Sequence, residues 1–213
     1  THLARLPGVR VKAISDIQIG QVAPWAEELG IPVMTTDNDE IIEDPEITAV
    51  LICSPTDTHL ELIRRLTRMG KHIFCENPIS FDYKQTKQVI DEVAKAGLVF
   101  QTGFNRRFDA NFKRVRQAIV AGDIGTPHII KVTSRDPEPP SYEYIKSSGG
   151  LLIDMSIHDL DMVRYLSGSE VEEIYVQGAV LVDSRIGELG DIDTALITLK
   201  FENGMLGVID NSR

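Results

Sequence analysis

Short apolar runs alternate with stretches of helical spacing through the first hundred residues. Residues 9–15 read as a strand, residues 21–29 as a helix and residues 32–35 as a second strand, with one helical turn at 40–42. The run Ala-Val-Leu-Ile-Cys-Ser at 49–54 is continuously apolar, as a parallel strand buried on both faces would be. Pro55 and Thr56 open a helix with the stripe Leu62, Ile63, Leu66 and Met69, which Gly70 stops. Residues 72–75 form the next strand, 82–96 a helix and 99–104 a last strand. Strands separated by helices of this length predict βαβ units and a parallel sheet.

After residue 104 the rhythm changes. A helix over 112–121 ends at Gly122, a strand follows at 128–134, an irregular loop spans 137–140, and residues 149–166 read as one long helix. Period-two rows then appear: Ile174, Val176, Val180 and Val182, and later Ala195, Ile197, Leu199 and Phe201. Asn203-Gly204 is a hairpin signal before another strand at 205–209. The expected architecture is α/β: a Rossmann-like doubly wound parallel sheet over 1–104, then an α+β domain with a mainly antiparallel open sheet over 105–213. Both ends look cut. A doubly wound nucleotide domain starts with a strand, a Gly-x-Gly-x-x-Gly turn and a helix, and no such turn occurs in the 213 residues. The expectation is a fragment that lacks its first strand, its phosphate loop and its C-terminal part.

Composition narrows the class. Of the residues, 42% are hydrophobic and 25% charged, with a net charge of −10. That balance argues against a phosphate-backbone binder, so no nucleic-acid partner is expected. No apolar run reaches the roughly 18 residues of a membrane span, so no membrane partner is expected either. The two cysteines, Cys53 and Cys75, sit in apolar runs, which suits a reducing, cytoplasmic location.

Several residues carry chemistry at strand ends. Asp16 closes the first strand, where an acidic side chain hydrogen-bonds an adenosine ribose and repels a 2′-phosphate, or else simply makes a turn. Ser54, Pro55, Thr56 and His59 join a strand to a helix N-terminus, a place for a polar ligand or for an ordinary proline turn. On the long predicted helix, Asp154, His158 and Asp161 recur at i, i+4 and i+7 and so share a line. A polar row on an apolar helix is costly unless paired, so it should face a wet cleft. A neutral histidine there can accept a proton near pH 7 while a carboxylate orients it. A satisfied core histidine is the competing reading. A metal site fits the spacing, but no further His or Cys cluster supports it.

Cys75-Glu76-Asn77-Pro78-Ile79 resembles the Glu-Lys-Pro signature of the Gfo/Idh/MocA oxidoreductases. The preceding Gly70-Lys-His-Ile-Phe74 and the following Gly103-Phe-Asn-Arg106-Arg107-Phe108 fit the same family, and Ser134-Arg135-Asp136-Pro137, Gly190-Asp191-Ile-Asp193-Thr194 and Asp210-Asn-Ser-Arg213 resemble its inositol dehydrogenase-like branch. The resemblance covers nearly the whole chain. It implies NAD-dependent oxidation of a ring secondary alcohol, of an inositol or a related polyol or sugar, to a ketone. It implies that Asp16, Ser54, Pro55, Thr56, His59, Glu76 and Asn77 bind NAD, and that Asn105, Arg106, Asp136, Asp154 and His158 bind the polyol. His158, Asp154 and Asn77 are the implied catalytic set, with no metal. The resemblance also implies a homotetramer formed through the open sheet. One departure stands out: the family's lysine is Asn77, which bears no charge and transfers no proton. A catalytically impaired homologue that binds NAD or a sugar as a regulator is therefore the alternative. A purely structural module accounts poorly for the polar row.

Overall fold

The alternating runs become βαβ units in the computed structural model, which describes residues 2–213. Two compact units divide the chain at Thr1–Thr102 and Gly103–Arg213. In the first unit the order is β1 (Ala13–Ser15), α1 (Ile19–Glu28), β2 (Val33–Thr35), α2 (Asp39–Ile42), β3 (Ala49–Ile52), α3 (Thr56–Arg68), β4 (His72–Cys75), α4 (Tyr83–Lys95) and β5 (Phe100–Thr102). Every pairing is parallel, and the strands form two pieces, β1-β2 and β3-β4-β5. In the doubly wound order 3-2-1-4-5-6, these pieces match places 3-2 and 4-5-6. No strand among the described residues holds the central place. The helices α3 and α4 bury Ile63, Leu66, Val89 and Val93 against Ile52, Ile73 and Cys75. That core covers one face.

The strand at 49–52 is therefore not buried on both sides as its apolar run predicts. Ala49 is exposed and Leu51 is 46% exposed, because they point to the face of β3 away from the α3 and α4 core, as His72 does on the neighbouring β4. Asp82 caps α4 as its position suggests, accepting the N–H groups of Lys84 and Gln85.

The second unit contains a 3-10 turn (Asn105–Phe108), α5 (Ala110–Ala121), β6 (Ile129–Arg135), α6 (Tyr142–Ser148), α7 (Gly150–Asp154), α8 (Ser156–Ser167), β7 (Val171–Ala179), α9 (Ser184–Glu188), β8 (Thr194–Phe201) and β9 (Leu206–Ser212). The sheet order is β6-β9-β8-β7, with β6-β9 parallel and the other two pairings antiparallel. The helix α8 lays Leu160 and Val163 over Ile197, Leu199, Phe201 and Ile209, with Ile130 and Val132 of β6 beside them.

Two expectations change here. The single helix over 149–166 is two helices, α7 and α8, separated at Met155. Asp154 and His158 thus lie on different helices, although Met155 keeps right-handed helical angles, with φ −99° and ψ −56°. The row begun by Ile174 and Val176 does share a face with Leu199 and Ile197, its register partners. Both side chains remain exposed, at 55% and 38%, because the α8 core reaches only Val171 at the start of β7. Val180 and Val182 lie beyond the end of β7. Two short helices, α6 and α9, have no counterpart in the periodicity, being too brief to show one.

Candidate active site

The first unit presents its chemistry at strand ends, the second along the 3-10 turn, the end of β6 and helices α7 and α8. In the first, Asp16 follows β1, exposed, with Oδ1 accepting the Gln18 N–H at 2.7 Å. Ser54 and Pro55 lie between β3 and α3, Thr56 is the first residue of α3, and the Ser54 and Thr58 hydroxyls share a 2.5 Å hydrogen bond. Glu76, exposed, and Asn77, half-buried, follow β4, with the Glu76 N–H donating to the Ile52 carbonyl at 3.0 Å. The carboxyl ends of parallel strands are where open α/β sheets bind ligands. An exposed carboxylate after β1 suits two ribose hydroxyls, so the residues present fit NAD.

His59 is the exception among the expected cofactor ligands. Its ring is 1% exposed, Nδ1 lies 2.9 Å from the Pro78 carbonyl, and Nε2 lies 2.8 Å from the Ser54 carbonyl. Both nitrogens are spent on backbone. His59 ties the turn after β3 to the turn after β4 and offers no atom to a ligand.

In the second unit, a cavity of about 440 Å³ is lined by Arg106, Thr133, Ser134, Arg135, Asp136, Asp154, Met155 and His158. Only Met155 in that set is apolar. The expected residues Arg106, Asp136, Asp154 and His158 meet here, whereas Asn105 is exposed and is not part of the lining. Asp161 leaves the row as well, because its carboxylate is gripped by Arg107 at 2.6–3.1 Å.

Asp154 is held from two sides. Tyr144 donates its hydroxyl to Oδ1 at 2.7 Å, and the buried Arg213 guanidinium donates to Oδ2 at 2.8 Å. Arg213 reaches on to Asp191 at 2.7 Å, and Asp191 accepts the Leu151 N–H at the start of α7 at 3.0 Å. Glycine is required at that start: Gly150 has φ +80°, and a Cβ there would lie 2.5 Å from the Asp191 carboxylate. Tyr144 and Arg213 bond Asp154 directly and Asp191 acts through Arg213; the sequence assigns none of the three a chemical role, since they come from three separate segments. Burial, followed by the bond to Asp154, pushes the Tyr144 hydroxyl up to about 12.

Beside His158, Asp159 is fully buried and pairs with Arg106. Burial lowers the His158 pKa below the ordinary histidine value, and the Arg106 guanidinium lowers it further against the opposing Asp159, Asp154 and Asp161. The imidazole is therefore neutral through the neutral pH range, the form that accepts a proton.

Comparison with known proteins decides the family. Residues 2–104 match the model for an oxidoreductase family with an NAD-binding Rossmann fold, and residues 112–213 match the Gfo/Idh/MocA C-terminal domain. The chain belongs to the Gfo/Idh/MocA oxidoreductase family. Among its relatives in that family, the myo-inositol 2-dehydrogenase of Thermotoga maritima is 50% identical over 201 residues, which is 94% of this chain and 60% of the relative. The scyllo-inositol 2-dehydrogenase (NAD(+)) of Bacillus subtilis is 38% identical over 98% of this chain and 61% of its own length. A Gfo/Idh/MocA fold is also seen in the crystal structure of scyllo-inositol dehydrogenase from Lactobacillus casei with bound NAD(H) and scyllo-inositol. That structure superposes with a TM-score of 0.88 at 28% identity, covering 100% of this chain and 64% of the other. The chain thus spans about three-fifths of the length of these relatives.

Proposed function

We propose that the protein carrying this chain oxidises a ring secondary alcohol of an inositol to a ketone, using NAD. The observation that carries this reading is His158, held neutral in a polar cavity beside Arg106, Asp136 and Asp154. Polyol hydroxyls each donate and accept, so a wall of carboxylates, guanidinium groups and hydroxyls matches them better than an apolar pocket would. His158 takes the hydroxyl proton as the carbon is oxidised. Asp154, immobilised by Tyr144 and Arg213, accepts a second hydroxyl and stabilises the imidazolium that forms. NAD, when bound, supplies the hydride acceptor, and Asp16, Ser54, Thr56 and Glu76 are its proposed contacts. Residues 1–104 serve as the cofactor domain and 105–213 as the substrate domain. A reducing, cytoplasmic setting accompanies this reading.

The test is NADH formation by the intact protein. Myo- or scyllo-inositol should be oxidised with NAD and poorly with NADP, because Asp16 would oppose the 2′-phosphate. A simple apolar secondary alcohol should be a poor substrate. Asn77 favours a second reading, a binder without turnover. Tight NAD or inositol binding with no NADH from any cyclitol or aldose would establish that reading and remove the first.

A homotetramer through the open sheet is also proposed. The sheet face away from α8 exposes Tyr175, Leu196, Leu206 and Ile129 at 63%, 43%, 51% and 69%, and Ile129 pairs with Leu206 in register. Exposed apolar side chains on neighbouring strands of this face suit coverage by a second copy. Leu196→Glu should shift the sedimentation coefficient to a smaller species. An unchanged assembly in that variant places the subunit contact elsewhere.

A further inference from the structure

We propose that Asp159 is a positioning residue for the cavity: it fixes Arg106 and Ser134 in the wall and balances the guanidinium charge beside His158. The proposal rests on the reading of His158 as proton acceptor. Asp159 is fully buried, and its carboxylate accepts from Arg106, from the Ser134 hydroxyl at 2.9 Å and from the Asn211 amide at 2.7 Å. The three donors come from the 3-10 turn, from β6 and from β9, while Asp159 itself is on α8. Arg106 and Ser134 line the cavity; Asn211 is buried and also accepts from the Ser156 hydroxyl. A carboxylate sealed from water is tolerated only with such partners, and removing its charge leaves them uncompensated. Consecutive helical residues point about 100° apart. That turn sends His158 into the cavity and Asp159 into the network behind it.

The charges around His158 separate into pairs. Asp154 is held by Arg213, Asp161 by Arg107, and Arg135 by Asp210. Asp136 lines the same cavity. In the Arg106–Asp159 pair both members act on His158, in opposite senses. Loss of Asp159 leaves the cation dominant and favours the neutral ring. Loss of Arg106 favours the charged ring.

The experiment is an NMR titration of the His158 ring in the intact protein, comparing Asp159→Asn, Arg106→Gln and the double variant. The signal is assigned by its absence in His158→Ala. Asp159→Asn should move the midpoint down by about one pH unit, Arg106→Gln should move it up by a similar amount, and the double variant should lie near the parent. In the same series kcat/KM for inositol should fall about 10²-fold in Asp159→Asn, with NAD affinity unchanged. A folded Asp159→Asn with an unmoved midpoint overturns the proposal, as does an activity loss matched by equal loss of NAD binding. Should Asp159→Asn not fold, Arg106→Gln decides, since Arg106 is only partly buried; an unmoved midpoint there overturns the proposal too. The titration requires no substrate. Expected shifts in a protein that oxidises no inositol would support the role of Asp159 and remove the dehydrogenase reading, so the two failures are distinct.

Discussion

Replacing His158 with alanine is expected to lower kcat for inositol oxidation by about 10²–10⁴-fold, the usual span for loss of a general base. The fall should appear in kcat and kcat/KM together, because the hydroxyl proton is transferred in the transition state while ground-state contacts with the remaining wall persist. The parent protein supplies a second signature. Burial and Arg106 hold the His158 pKa below its ordinary value, so the ring stays neutral as pH falls past that value. The acid limb of kcat/KM should therefore lie below the position expected for a free histidine, with activity retained above it. In His158→Ala that limb should disappear. Steady-state rates across pH measure both effects. Activity within a few-fold of the parent, with the limb intact, would remove His158 from the mechanism.

Replacing Asn77 with lysine is expected to raise kcat by about 10²-fold or more. By family resemblance, position 77 is the place of a lysine that helps bind the reacting hydroxyl and supports proton transfer. Asparagine still donates and accepts hydrogen bonds, so its presence preserves binding better than it preserves proton transfer. The gain should accordingly fall on kcat more than on KM. The exchange is also structurally tolerable, since Asn77 is half-buried between exposed Glu76 and half-buried Pro78. A folded Asn77→Lys protein with unchanged kcat would show that position 77 takes no part in the proton path. A protein inactive in both forms, yet binding NAD, would be the regulatory homologue instead.

The strengths of the linear reading lie where chemistry is local. Glycine, proline and asparagine at turns, together with period-two and helical apolar rows, place strands β1 to β5 and most helices. The helix α4 begins one residue after Asp82, and α5 ends at Gly122 in a left-handed conformation that glycine adopts freely. His158 and Asp154 are visible because polar residues interrupt an apolar stretch. His59 shows the limit of such reasoning. Its position at a strand-helix junction suggests a ligand, but only three-dimensional packing shows two carbonyls taking both ring nitrogens.

The sequence by itself determined the class of the protein: parallel βαβ units followed by hairpins, the Glu76-Asn77-Pro78 turn, and a histidine with acidic neighbours. These are short-range properties, set by backbone conformation and side-chain alternation within a few residues. Tertiary structure decided which acid serves which base. The break at Met155 moved Asp154 onto its own helix, where Tyr144 and Arg213 hold it and Asp191 holds Arg213. Asp161 went to Arg107, and Asp159 became the buried partner of Arg106. Each assignment joins residues 10 to 59 positions apart. The physical reason is that a buried charge is stable only beside an opposite charge or several donors, and which partners arrive depends on how helices and sheet come together.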